Sequence, residues 1–442
     1  MVELPKEFQY ILLLFGLLVL PKALQRFRVP SAITSLLLGL GFGAGLGYFL
    51  QDETVHLLST FGIAALFLFA GLDVDSQSLR REARILSEHL LIVALTVAGA
   101  AVAVQWVFPM GTRQAVLVGL ALVTPSCGFI LDSLASLGVS REEAYWIRTK
   151  AIASELLALT VLFVTLQSTS AGRLGFSAVA LLAMAAFLPV LLRFLASRIS
   201  IYAPNSEFAF LLMVAVIFAY ATRQLGVYYL VGAFLVGITA RRMREQLPRL
   251  ASDQNLHAVE VFASFFVPFY FFNAGLNISR EALTWKALMI GLVFAAISIP
   301  VRIGLVLLQR RVRLSEAWSQ AMRVAVPMIP TLVFTLVLAE ILREQFALDD
   351  ALFGGLVVYA ALTTILPAMV FRVPRAVFEI EQDMLLVGSS TRAAPGPTPV
   401  EADGGVLDLT AADGAEPVWP LDPVEPAKED DVVSPAPPAT PP

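Results

Sequence analysis

Phe67-Leu-Phe-Ala-Gly-Leu-Asp-Val-Asp75, followed by Leu79, has an echo 204 residues further on in Phe271-Phe-Asn-Ala-Gly-Leu-Asn-Ile-Ser279, followed by Leu283. A second pair lies at a displacement of 205: Val123-Thr-Pro125-Ser-Cys-Gly-Phe129-Ile-Leu131 against Met328-Ile-Pro330-Thr-Leu-Val-Phe334-Thr-Leu336. Two matches at nearly equal displacement are the mark of an internal repeat. What each repeat is made of follows from composition. The chain has 442 residues, 57% hydrophobic and 15% charged, with a mean hydropathy of +0.77. Soluble domains carry roughly 25% charged residues, so a single water-soluble globular protein is excluded.

A spanning helix needs about 20 largely apolar residues. Such stretches occur at about 7–24, 30–50, 56–72, 86–108, 112–137, 143–168, 174–197, 205–222, 225–240, 258–276, 285–309, 318–342 and 350–371. The expected fold is therefore an all-α polytopic membrane protein of about 13 transmembrane helices. The first stretch does not read as a signal peptide, because Glu3, Lys6 and Glu7 precede it and no small-residue cleavage site follows. Basic residues test the alternation. One set of alternate loops holds 20 Lys and Arg, including Lys22, Arg26, Arg80, Arg81, Arg148, Lys150, Arg241, Arg242, Arg310 and Arg311; the other set holds seven. By the positive-inside rule the N-terminus lies outside and the C-terminus is cytoplasmic.

Residues 1–375 thus form the membrane domain. The net charge of −4 hides a contrast: residues 391–442 carry ten acids against Arg392 and Lys428, and twelve of the 26 prolines. Without apolar periodicity, 385–442 reads as a disordered, acidic, Pro-rich cytoplasmic tail. Cys127 is the lone cysteine, so no intrachain disulfide forms and a thiol-based cluster is excluded.

The two repeat matches fall in corresponding helices, 2–6 against 9–13. An odd number of helices separates the units, so they insert with opposite orientations. Inverted repeats are associated with secondary transporters. Pro125 and Pro330 sit at repeat-related, mid-membrane positions beside Thr124, Ser126 and Thr331. A proline removes a backbone N–H, and broken backbone at that depth is tolerated only where protein or a water-filled cavity satisfies it. The pair reads either as a midplane ion site or as two ordinary kinks.

Intramembrane ionisable residues are functional by default. Glu155, in Ala151-Ile-Ala-Ser-Glu155-Leu-Leu-Ala-Leu159, lies near the centre of the sixth helix in apolar surroundings. It would hold a proton unless a cation replaces it. Arg302, after Ile297-Ser-Ile-Pro300-Val in the eleventh helix, reads either as snorkelling to the interface or as a counter-charge for Glu155. Asp132, two turns after Pro125 on the same face, reads as a cytoplasmic cation funnel or as an interfacial acid. Arg323 reads as interfacial, and Asp73, Glu260 and Glu340 as solvated helix ends. Gly39, Gly41, Gly43, Gly45 and Gly47 fit close helix packing better than a nucleotide loop. His56, His89 and His257 are scattered, loop-proximal and lack metal-ligand spacing. No cofactor and no metal beyond a transported cation is expected, and no enzyme, since no nucleophile–base set appears at one depth.

The sequence resembles the Kef-type branch of monovalent cation:proton antiporters. The resemblance rests on Arg28-Val-Pro-Ser-Ala-Ile-Thr-Ser-Leu-Leu-Leu-Gly39, Leu66-Phe-Leu-Phe-Ala-Gly-Leu-Asp-Val-Asp75, Val231-Gly-Ala-Phe-Leu-Val-Gly237 and Phe265-Phe-Val-Pro-Phe269 with Ala274-Gly-Leu276. It implies 13 helices, a homodimer, two crossed discontinuous helices and a core bundle moving against a dimerisation domain. It also implies an acidic cation site on the sixth helix and a basic residue on the eleventh, the places of Glu155 and Arg302. Ser154-Glu155 stands where the family usually has Gln-Asp, Asn-Asp or Asp-Asp. After the thirteenth helix only a disordered tail is expected, in place of the large nucleotide-binding regulatory domain attached to potassium-efflux members.

The expectation is exchange of Na+ or K+ for H+ by alternating access. Glu155, Ser154 and Thr124 would bind the ion, with carbonyls of the breaks at Pro125, Ser126, Pro330 and Thr331 completing the shell. Arginine releases no proton usefully, so one carboxylate implies electroneutral 1:1 exchange. The partners are then the ions and the bilayer, with no nucleic acid. The rival readings are an organic-anion transporter on a similar inverted-repeat fold and a non-transporting membrane sensor.

Overall fold

The computed structural model describes residues 5–27, 29–134, 137–199, 207–226, 230–244, 246 and 252–371. The expected tail, 385–442, lies outside the described residues. All regular structure among the described residues is helical. The first half comprises α1 (Lys6–Gln25), α2 (Ser31–Leu40, continued by a π-helical turn Gly41–Leu46), α3 (Glu53–Leu72), α4 (Ser76–Arg81), α5 (Ala83–Val107), α6 (Thr112–Val123), α7 (Cys127–Leu134) and α8 (Arg141–Gln167). The second comprises α9 (Ala171–Phe194), α10 (Glu207–Gln224), α11 (Leu230–Arg242), α12 (Asp253–Leu276), α13 (Trp285–Leu314), α14 (Trp318–Ala325), α15 (Leu332–Phe346) and α16 (Asp350–Val370).

Each apolar stretch found in the sequence carries a helix. Among the described residues, ten spans are long and apolar enough to cross a membrane, or eleven if the bent pair α14–α15 is one span. The stretches 30–50 and 225–240 carry the shorter α2 and α11, so length alone does not yield thirteen. Helix starts follow local chemistry. At α8, Ser140 Oγ accepts from the Glu143 N–H at 3.2 Å while Glu143 Oε2 accepts from the Ser140 N–H at 2.7 Å, a reciprocal cap that satisfies two orphan donors.

The helices pack as two bundles. In one, α1, α2, α3, α10, α11 and α12 lie together; in the other, α5, α6, α8, α13, α15 and α16 surround the helix breaks. Two close crossings in the first bundle use glycine. A Cβ on Gly39 of α2 would lie 2.0 Å from the Phe272 oxygen of α12, and one on Gly275 would lie 2.1 Å from the Leu36 oxygen. The α3–α11 crossing at Gly71 and Gly237 is equally tight, at 2.4 and 2.3 Å from the opposing carbonyl oxygens. In the sequence repeat α2 corresponds to α11 and α3 to α12, so the α2–α12 and α3–α11 crossings are repeat-related equivalents of one another. Of the expected glycine stripe, Gly39 and Gly43 meet α12, whereas Gly41 and Gly45 face open space.

Polar contacts between loops follow the alternation read from charge. At one end Arg242 donates to Ser76, Arg313 pairs with Glu88, and Arg323 pairs with Glu143 while donating to the Gly138 carbonyl. At the other, Arg113 donates to the Thr165 and Leu166 carbonyls, Gln114 to Phe346, Arg343 to Asn277, and Arg280 to Ala44. The first is the basic end.

Candidate functional site

Proline decides where the site forms. Pro125 has no N–H to continue a helix, and Thr124 before it is extended (φ −76°, ψ 122°), so α6 stops at Val123 and α7 restarts at Cys127. In the second half a short 3-10 turn, Val326–Met328, ends α14. Thr331 leaves helical geometry at φ −121°, ψ 4° before α15 begins, and the two segments are bent by 41°. The breaks touch. The Ser126 N–H donates to the Pro330 carbonyl at 2.8 Å, and Ser126 Oγ accepts from the Phe334 N–H at 3.1 Å. Thr335 Oγ1 donates to the Ala121 carbonyl at 2.7 Å, and Thr331 and Thr363 share a hydrogen bond of 3.1 Å. Backbone groups freed by one break are thus satisfied by the other, as mid-membrane backbone requires.

Glu155 lies midway along α8 and is 2% exposed. Its carboxyl group meets the backbone N–H and thiol of Cys127 in the first turn of α7, where free N–H groups favour negative charge. Its Oε2 has no hydrogen-bond partner. The carboxyl group faces a narrow hollow between the bundles, walled by Leu66, Phe67 and Ala70 of α3, by Ser126, Cys127 and Gly128, and by Val333 and Phe334 of α15.

Ser154 points elsewhere. Its Oγ hydrogen-bonds His89 Nε2 at 3.0 Å, and it lines a cavity of about 40 Å³ with Arg302, Pro125 and Met328. Thr124, fully buried with its Oγ1 unpartnered, shares with Ser154 a second cavity of about 180 Å³ walled by Val97, Leu120 and Val161. The structure therefore brings Ser154 and Thr124 together and sets Glu155 on another face of α8. No hydrogen bond joins Glu155 to either among the described residues.

Arg302 neither snorkels nor touches Glu155. It is 9% exposed, and its Nη1 and Nη2 donate to the Ile329 and Met328 carbonyls, both at 2.7 Å, with Tyr359 Oη 3.3 Å from Nη1. The guanidinium caps the carbonyl end of the second break, where partial negative charge gathers. Tyr359 in turn donates to the Leu122 carbonyl at the end of α6. The Asp132 side chain lies outside the described residues.

Three buried groups escaped the sequence reading. His89, read as loop-proximal, is 3% exposed and holds Ser154. Lys150, counted among the topology-setting bases, is fully buried and donates to Gln309 Oε1 at 2.7 Å. Arg310, counted likewise, is 3% exposed, is held by both Glu316 carboxylate oxygens at 2.7 and 2.5 Å, and stacks over Trp146. Position was the available signal, since the predicted helix 143–168 already contained Lys150. Asp73, read as solvated, is only partly exposed, whereas Glu260 is exposed and Arg323 is part-exposed and paired with Glu143. Among the described residues no group of three or more His, Cys, Asp or Glu could hold a metal ion.

The family model described as "Sodium/hydrogen exchanger, transmembrane" matches residues 10–373. The chain is 23% identical over 365 residues to a Na+/H+ antiporter of Enterococcus hirae, covering 79% of this chain and 92% of that protein. It is 25% identical over 295 residues to the Na+/H+–K+ antiporter GerN of Bacillus cereus, covering 62% of this chain and 72% of the relative. Its fold is similar to that of the sodium proton antiporter MjNhaP1 of Methanocaldococcus jannaschii at pH 8, with a TM-score of 0.60 at 15% identity, over 84% of this chain and 97% of that one. A multi-span helical chain with two broken helices meeting at a buried carboxyl group, matched over nearly all of its described length, belongs to the sodium/hydrogen exchanger family of monovalent cation:proton antiporters.

Proposed function

We propose that this protein exchanges Na+ or K+ for H+ by alternating access, one for one, with Glu155 binding proton and cation in turn. The observation that carries this reading is the open Oε2 of a buried carboxyl group at a helix break. An unpaired charge taken out of water costs several kcal/mol, so the group stays neutral until a cation arrives. Competition for one site couples the two fluxes. Ser154, Thr124 and carbonyls of the first break join the shell when that break shifts against α8. Arg302 contributes fixed positive charge through the crossed breaks rather than by contact, and its hydrogen bonds to Met328 and Ile329 commit it to the scaffold. The working assembly is a homodimer in the bilayer with the N-terminus outside, the basic end cytoplasmic, and an acidic tail at 385–442 dispensable for exchange.

Purified protein in liposomes tests the reading. Lithium, sodium and potassium are offered in turn, and collapse of an imposed proton gradient is followed beside membrane potential. Exchange without a potential, abolished in Glu155→Gln, is the expected result. Retained exchange in Glu155→Gln would move the site elsewhere. A potential built during exchange would overturn electroneutrality and point to the buried Lys150 as a second proton-carrying group.

A further inference from the structure

The hollow that Glu155 faces lies between the bundles, and one ion pair spans its basic end. Ala70 of α3 walls the hollow, and Asp73 follows three residues later at the end of that helix. Arg148 precedes Glu155 on α8 by seven residues, two turns along the same face. Arg148 Nη1 stands 3.9 Å from Asp73 Oδ1, with side-chain exposures of 51% and 23%. Both charges act on Cys127, which lies in the wall of the hollow. Asp73 belongs to the bundle of α3, α11 and α12, and Arg148 to the bundle that carries the breaks.

We propose that the Asp73–Arg148 pair is a latch that holds the two bundles closed over the Glu155 hollow at the basic end. Alternating access requires the bundles to part here, and a half-exposed pair is suited to that. Exposed pairs contribute on the order of 1 kcal/mol or less, enough to bias a conformational equilibrium severalfold without locking it. The described charged groups facing Asp73 are Arg148 from α8, Arg241 from α11 and Glu260 from α12. Burial raises the Asp73 carboxyl group above its ordinary range, opposed by Arg148 and Arg241 and reinforced by Glu260. A falling pH on the basic side therefore neutralises Asp73 earlier than an exposed carboxylate and releases Arg148. The latch is closed in alkaline medium and open in acid. Its place in transport rests on the proposed role of Glu155; its existence does not.

The lone cysteine of the chain supplies a reporter that does not depend on transport, because Cys127 is fully buried in the wall of the hollow. The full chain in liposomes is treated with N-ethylmaleimide at one fixed alkaline pH. Asp73→Asn and Arg148→Gln each speed Cys127 alkylation about three- to fivefold, as expected for loss of an interaction of this size. The charge swap D73R/R148D returns it to within about twofold of the parent, and Asp73→Glu leaves it near the parent. Direct electrostatic effects on the thiol would send the two single variants in opposite directions, whereas a latch sends both the same way. Opposite responses, unchanged rates, or a swap that behaves like the single variants would overturn the latch. In exchange assays Asp73→Asn should outpace the parent at alkaline pH and converge with it at acid pH. Slower exchange at every pH would instead make Asp73 a cation relay and end the proposal. If Glu155→Gln still exchanges ions while the Cys127 responses hold, the transport reading fails and the latch stands.

Discussion

The two helix breaks are built from related sequence and are satisfied in opposite ways. At the second break, Arg302 donates to the Met328 and Ile329 carbonyls, the Pro330 carbonyl accepts from Ser126, and Thr331 pairs with Thr363. At the first, Thr124 Oγ1 and the nearby Glu155 Oε2 are buried without partners. Buried polar atoms are nearly always paired, so two open ones close to one break fit the proposed place for an ion that comes and goes. In the proposed reading the closed break serves as scaffold and the open one as site. The same logic separates Arg302 from Glu155: Arg302 is tied down by three neighbours, and Glu155 keeps an oxygen free.

Substitutions can break that contrast. The largest expected effect is the split between Glu155→Gln and Arg302→Met. Glu155→Gln should abolish exchange with thermal stability within about 1 kcal/mol of the parent, because one buried neutral group replaces another. Arg302→Met strands two buried carbonyls at roughly 1–3 kcal/mol each, so thermal unfolding in detergent should show a drop of several degrees. Equal losses of stability in both variants would erase the distinction between site and scaffold. Next comes Ser126→Ala, which leaves the Phe334 N–H unpaired. It should cost about 1–2 kcal/mol by chemical denaturation while the cation KM stays near the parent value. Smallest is Thr124→Val, which removes a hydroxyl that bonds nothing in this structure. Stability should hold within about 0.5 kcal/mol, while the cation KM rises a fewfold as one neutral oxygen ligand is lost. An unchanged KM would take Thr124 out of the ion shell.

Much of this was legible in the sequence. Hydropathy located the helices, and alternating Arg clusters sorted the loops that contact one another at each end. Pro125 and Pro330 announced the breaks because proline acts through its own ring and missing N–H, whatever surrounds it. Glu155 stood out for the same local reason, as a lone carboxyl group in an apolar run. Partnership was harder. Arg302 was expected to answer Glu155, yet carbonyls about two dozen residues along the chain claim it. Lys150 and Arg310 looked like two more loop bases until Gln309 and Glu316 appeared beside them.

The sequence alone determined the membrane class, the helix positions, the alternation of loops and the sites of the two breaks. Each of these depends on hydrophobicity, charge or proline geometry within one segment. Only the tertiary structure decided that the breaks meet, that Ser154 turns to His89 and away from the hollow of Glu155, and that Asp73 faces Arg148 between the bundles. Hydrogen bonds and ion pairs act over a few ångströms, and the groups that come that close lie tens to hundreds of residues apart along the chain.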